Sequence, residues 1–152
     1  MKVSMLKILT YPDERLLKQA EKVTVFDPDL RDLAIRMYKA MVMAKGAGLA
    51  APQVGVLQSF FVVEKGLCRH EIIINPTWTK NKDATELLLE EGCLSFPGLF
   101  LKVNRFDKID VGYQSIDGKM HSDTLSGFAA HVFQHESEHL NGVLFIDKMK
   151  VR

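Results

Sequence analysis

The chain has 152 residues, is 47% hydrophobic and 26% charged, and carries a formal net charge of +1. This length and balance suit one domain, residues 1–152, with a core of its own. They exclude a disordered chain, and nothing in the charge points to direct nucleic-acid binding.

The start, Met1-Lys2-Val3-Ser4-Met5-Leu6-Lys7, lacks the apolar stretch of a secretory signal. Asp27-Pro28 reads as a helix cap followed by proline at the first helical position. Leu30, Leu33, Ala34, Met37 and Met41 then recur at helical spacing, and Gly46 is expected to stop the helix. The segment Gly46 to Gln53 reads as a loop. Phe60 to Glu64 and Glu71 to Asn75 are rich in aromatic and β-branched residues and predict strands, with another over Leu87 to Glu90. Asp107 to Gln114 and Lys119 to Leu125 flank Asp117-Gly118, a hairpin signal. Ser126 is placed to cap a last helix that ends at Asn141-Gly142. The pattern is α+β. The longest apolar runs, such as Phe60 to Val63 and Ile72 to Ile74, are too short to cross a bilayer, so no membrane partner is expected. Two cysteines, Cys68 and Cys93, are too few for a disulfide framework and fit a reducing, cytoplasmic compartment.

The last helix carries Gln134-His135-Glu136-Ser137-Glu138-His139, which contains H-E-x-x-H. Residues four apart share a helix face, so His135 and His139 can hold one metal ion, with Glu136 near enough to handle a proton. A solvated surface helix is the bland alternative. Against it, Phe128, Val132, His135 and His139 form one stripe, which is expected to face inward. Three protein ligands plus water is the usual catalytic arrangement. Little chain follows Gly142, so the third ligand is sought upstream. Cys93, in Glu91-Gly92-Cys93-Leu94-Ser95, is a candidate, although a lone cysteine is more often a small buried hydrophobe. Cys68, His70, His121 and His131 read as ordinary residues.

Three co-linear motifs together resemble the peptide deformylase family. Gly46-Ala47-Gly48-Leu49-Ala50-Ala51-Pro52-Gln53 is similar to its G-x-G-x-A-A-x-Q, Glu91 to Ser95 to its E-G-C-L-S, and Gln134 to His139 to its Q-H-E-x-D-H. The opening Ile8 to Leu16 and the pair Asn75-Pro76 also resemble the family. Three departures stand out. Glu138 replaces the usual Asp, Ala47 replaces a larger aliphatic residue, and little chain follows Ile146-Asp147, a shortness similar to phage-encoded members.

The resemblance implies short antiparallel strands packed around a central helix carrying H-E-x-x-H. It implies Cys93, His135 and His139 as ligands of one divalent metal, Fe²⁺ natively, with Zn²⁺, Ni²⁺ or Co²⁺ able to replace it. It makes Glu136 the general base, with the Gln53 side chain and the Leu94 backbone N–H as donors to the oxyanion. Gly46, Gly48 and Gly92 are expected along the substrate backbone, and Phe128, His131 and Val132 around the methionine side chain. The expected partners are formyl-Met nascent peptides at the ribosome, and a monomer in the cytoplasm (the host's, for a phage-encoded enzyme). A zinc peptidase or a silent peptide binder built on the same helix are the competing readings.

Overall fold

The computed structural model describes residues 5–149, with the backbone alone at Met149. The first four residues, on which part of the leader reading rests, lie outside that range. A 3-10 turn at Glu14–Leu17 precedes helix α1, Pro28–Met43. Then come strand β1 at Gly48–Ala50, a 3-10 turn at Ala51–Val54, β2 at Phe60–Val63 and β3 at Ile72–Lys80. Strands β4 (Glu86–Cys93), β5 (Phe96–Phe106), β6 (Lys108–Gln114) and β7 (Met120–Ser126) follow. Helix α2, Gly127–Leu140, and a 3-10 turn at Phe145–Met149 complete the order.

Five strands form one antiparallel sheet in the order β1-β2-β3-β6-β7, and β4 pairs with β5 in a separate hairpin. This is an α+β fold, with two α-helices among the described residues. The larger sheet is covered on both faces, which is why β2 reads Phe-Phe-Val-Val with every position buried. Phe60 and Val62 join Leu30, Ala34, Met37 and Met41 of α1 in one core cluster. Phe61 and Val63, pointing the other way, join Ala130, Val132, Phe133 and Leu140 of α2 in a second.

Local chemistry sets the boundaries. The Asp27 carboxylate accepts from Leu30 N at 2.9 Å and caps α1, with Pro28 in the first turn. The C-terminus of α1 differs from expectation. The helix ends at Met43, and Lys45, not Gly46, takes the left-handed conformation at φ 59°. Lys45 N bonds Val42 O and Gly46 N bonds Met41 O, a Schellman arrangement that satisfies the last carbonyls. Gly46 is therefore one residue beyond the turn. The segment expected as a loop at 46–53 instead holds β1 and a 3-10 turn.

Asn75-Pro76 also has a structural role. Asn75 sits at φ 51° beside a bulge in the β3–β6 pairing. Its side chain bonds both the N–H and the C=O of Val23 at 2.9 Å, and Gln114 Oε1 at 2.7 Å, tying the N-terminal arm to the sheet. Ser126 has the extended backbone of an N-cap but makes no side-chain cap bond. The helix ends at Asn141-Gly142 as expected, and Gly142 is at φ 70° where a Cβ would lie 2.4 Å from Leu17 O. Strand β5 was not expected at all, and at eleven residues it is the longest of the described strands. Among the described residues no helix is long and apolar enough to cross a membrane.

Candidate metal centre

Two elements converge at the site. Strand β4 delivers Cys93 at its last position, where the pairing with β5 shifts register and the chain turns through Leu94-Ser95. Helix α2 delivers His135 and His139 from successive turns. Cys93, His135 and His139 each bring a ligand atom within 4.8 Å of the others. Cys93 Sγ lies 3.4 Å from His139 Nε2, and the two imidazole rings are edge to face at 5.0 Å. A free thiol and two buried imidazoles, gathered at this spacing, form a donor set suited to one divalent cation.

The ligand His135 is oriented from behind. Its Nδ1 donates to Glu91 Oε1, which leaves Nε2 for the metal. Phe145, from the last 3-10 turn, packs edge-on against the same ring at 5.8 Å. Glu91 is itself buried and fully used. Arg105 binds it with two parallel bonds of 3.0 and 2.7 Å, and His131 Nε2 bonds Glu91 Oε2. Burial alone would raise the Glu91 pKa, but the hydrogen bonds from His131, His135 and Arg105 outweigh it and hold the carboxyl well below the usual range. Arg105 Nη1 also lies 2.9 Å from Glu138 Oε1, close enough for an ion pair although the N–H is not aimed as a hydrogen bond requires. Lys148 reaches the other oxygen of Glu138 at 2.9 Å. Glu138 thus links the buried arginine to Lys148 of the last 3-10 turn.

Glu136 lies beside the triad. Its Oε2 is 3.9 Å from His135 Nε2, and its Oε1 is buried without a protein partner. Burial pushes its pKa up to about 7. Gly48 is what makes room for it, since a Cβ there would lie 2.7 Å from Glu136 Oε2. Gln53 is buried on the opposite side. Its Oε1 accepts from Ala50 N at 2.9 Å, and its Nε2 donates to Ser95 Oγ at 3.0 Å and contacts Cys93 Sγ at 3.8 Å. A cavity of about 610 Å³ opens over this group, lined by Gly46, Gly48, Gln53, Gly92, Cys93 and Leu94 on one side. Phe128, His131, Val132, His135 and Glu136 of α2 line the other side.

The residues singled out from the sequence are therefore brought to one cavity, except that His139 lies behind it, reaching Cys93. Two details differ. Phe128 is 55% exposed at the mouth, because it sits in the first turn of α2 before the helix enters the core. His131 is not an ordinary residue but a buried donor to Glu91. Glu91, Arg105, Ser95 and Phe145 were not picked out. Ser95 and Glu91 stood inside a recognised motif, whereas nothing in the sequence marks the pairing of Arg105 with a carboxylate fourteen residues earlier. Cys68, with burial pushing its thiol up to about 11, lies apart from the centre. His70 and His121 pack at a tilt, with ring centroids 4.3 Å apart, beside Tyr113.

The chain is similar to known proteins over nearly its whole length. A family model described as Polypeptide deformylase matches residues 5–152. The chain is 43% identical over 146 residues to the peptide deformylase of Thermotoga neapolitana, covering 96% of this chain and 88% of that one. It is similar to the crystal structure of peptide deformylase from Thermotoga maritima, with a TM-score of 0.91 at 41% identity, covering 98% of this chain and 100% of that one. It is also similar to an inhibitor complex of the Plasmodium falciparum enzyme, with a TM-score of 0.86 at 42% identity, covering 93% and 88%.

Proposed function

The chain belongs to the polypeptide deformylase family and is a metal-dependent enzyme that removes N-formyl groups, and we propose that its substrate is the formylated initiator methionine of nascent polypeptides. Formate and a free α-amine are the products. Residues 1–152 act as one catalytic domain. The observation that carries this reading is the gathering of Cys93, His135 and His139 in one cluster, with Cys93, His135, Glu136 and Gln53 lining one cavity. A structural metal site would usually recruit a fourth protein ligand, and no such group accompanies these three among the described residues.

Cys93, His135 and His139 would hold the cation, which when bound would supply Lewis acidity toward water and the formyl oxygen. Glu136 takes the proton of the attacking water and returns it to the departing amine, which its position beside His135 and its lack of a competing partner support. The developing oxyanion is met by the Gln53 amide and the Leu94 backbone N–H. The amide of Gln53 is held in place by Ala50 and Ser95, so it is preorganised for that duty. Gly46, Gly48 and Gly92 give the peptide backbone close approach, and His131 and Val132 face the methionine side chain within the cavity.

Fe²⁺ is the native metal in this reading. Zn²⁺ binds such a donor set more tightly in general, but turnover is expected to be faster with Fe²⁺, Ni²⁺ or Co²⁺. The substrate is met in the cytoplasm at the ribosome, and the enzyme acts as a monomer. The test is formate release from a formyl-Met peptide, run against cleavage of the same peptide without its formyl group, after anaerobic reconstitution with each metal. Formate from the first and no internal cleavage of the second is expected. Cleavage of the unformylated peptide without formate release would replace the proposal with a peptidase.

A further inference from the structure

Helix α2 carries a third histidine on the face that holds the ligands. His131, His135 and His139 follow at four-residue intervals, each about 6 Å further along the axis. His135 and His139 gather with Cys93, and His131 stands outside that group. Its Nε2 donates instead to Glu91 Oε2, while His135 Nδ1 donates to Glu91 Oε1. Glu91 lies on β4, two residues before Cys93. Two successive turns of α2 therefore grip one carboxylate at the end of the strand that delivers the thiol. Arg105 holds the same carboxylate with bonds of 3.0 and 2.7 Å, but it comes from β5, the partner strand of the same hairpin, and moves with it. Its parallel bonds fix the plane of the carboxylate. Among the described residues, His131 is the one donor besides the ligand His135 that ties this carboxylate to the ligand helix. Gln134 and Glu138 tie the hairpin to α2 elsewhere, at Phe106 and Arg105.

We propose that His131 is a positioning residue for the metal centre. By fastening Glu91 to α2 it fixes the ring of His135 and the placement of Cys93 against that ring, and so slows the escape of the bound cation. The inference rests on the metal-dependent reading above and concerns how that centre keeps its metal. The reason lies in where the ligands come from. Cys93 belongs to the hairpin, and His135 and His139 belong to the helix, so the site stays assembled only while the two elements keep their register. His131 lines the cavity together with Glu91. Without the imidazole, water from the cavity can satisfy Glu91 Oε2, but a mobile water does not join strand to helix. Partners that orient a ligand in this way are worth about 10- to 100-fold in metal affinity. Arg105 and His135 still hold Glu91 when His131 is removed, so the effect falls at the lower end.

The test loads the full chain with Ni²⁺ and follows transfer of the metal to excess EDTA, by elemental analysis of protein separated at intervals. His131→Leu fills a similar volume without a donor. His131→Asn stays polar but is too short to bring its amide to Glu91. Each is expected to lose metal roughly tenfold faster than the wild type. His131→Gln, whose amide nitrogen can take the place of Nε2, returns the rate to within about threefold of the wild type. Melting temperature shows which variants are folded, and His131→Asn carries the test if His131→Leu is not. Met37→Ala, weakened in the α1 core, is the control and keeps the wild-type rate. No substrate is present, so a role for His131 solely as a cavity wall leaves all the rates alike. Unchanged rates in the Leu and Asn variants, a Gln variant as fast as they are, or equal acceleration in Met37→Ala overturns the proposal. A wild-type chain that takes up no stoichiometric Ni²⁺ overturns the metal centre itself, and the proposal with it.

Discussion

The two helices lie on opposite faces of the five-stranded sheet and are buried for different reasons. Helix α1 buries Leu30, Ala34, Met37, Ala40 and Met41, an apolar stripe that the hydrophobic effect alone keeps inside. Helix α2 buries His131, Gln134, His135, Glu136, Ser137 and His139 along with its apolar residues. Burying such groups is unfavourable unless each finds a partner. Several do. Gln134 bonds both backbone groups of Phe106, at 3.0 and 2.7 Å, and His131 and His135 share Glu91. Glu136 Oε1, Ser137 Oγ and His139 Nδ1 do not. Helix α1 therefore serves stability, whereas α2 gives up some stability to bring polar atoms to the metal centre.

This contrast makes separate demands of each helix. The largest effect is expected at the ligands. Replacing Cys93, His135 or His139 with Ala should remove metal and formate release together, measured by elemental analysis and assay on the same sample. Turnover with full metal in Cys93→Ala would break the assignment. Next is Arg105→Met, which leaves Glu91 and Glu138 buried without their cation. Breaking a buried pair in this way costs about 3–5 kcal/mol, readable as a lower urea midpoint, and metal should also dissociate faster because His135 loses its fixed acceptor. Unchanged stability would mean that the network supporting α2 is dispensable. Met37→Ala should cost about 2–5 kcal/mol in the α1 core, yet leave metal content and turnover per folded molecule as they were. A selective loss of turnover there would blur the division between the helices. The smallest effect is expected from Ser95→Ala, which removes the partner of Gln53 Nε2. A loss of a few-fold in kcat, or about 1 kcal/mol, is expected with little change in KM, and an unaltered kcat would mean that Gln53 is held well enough by Ala50 alone.

How far the sequence revealed these features follows the same division. Helix α1 was readable because its signals are local: Asp27-Pro28 at the start and an apolar residue every three or four positions. The ligand helix was readable because H-E-x-x-H places its chemistry within one turn. Strand β5 was not readable. Pro97 and Gly98 look like loop residues, and Leu99 to Lys102 show no clean alternation because much of the hairpin is open to solvent on both sides. Lys45 in the left-handed turn was missed because glycine is the residue expected there. The ion pair of Arg105 with Glu91 was invisible for a different reason: charges far apart in sequence read as solvated until folding brings the strands together. The cavity followed from the motifs, but its supporting shell emerged only with the β4–β5 pairing.

Glu136 tests the central claim most directly, since it is the buried α2 residue with the least structural reason to be there. Glu136→Gln keeps the shape and removes the base. Metal content and stability should match the wild type, while formate release from a formyl-Met peptide falls by at least roughly 10²-fold, the usual cost of losing general acid–base help. Loss of metal alongside the rate would make Glu136 a ligand or a structural residue, and an unchanged rate with full metal would contradict the account.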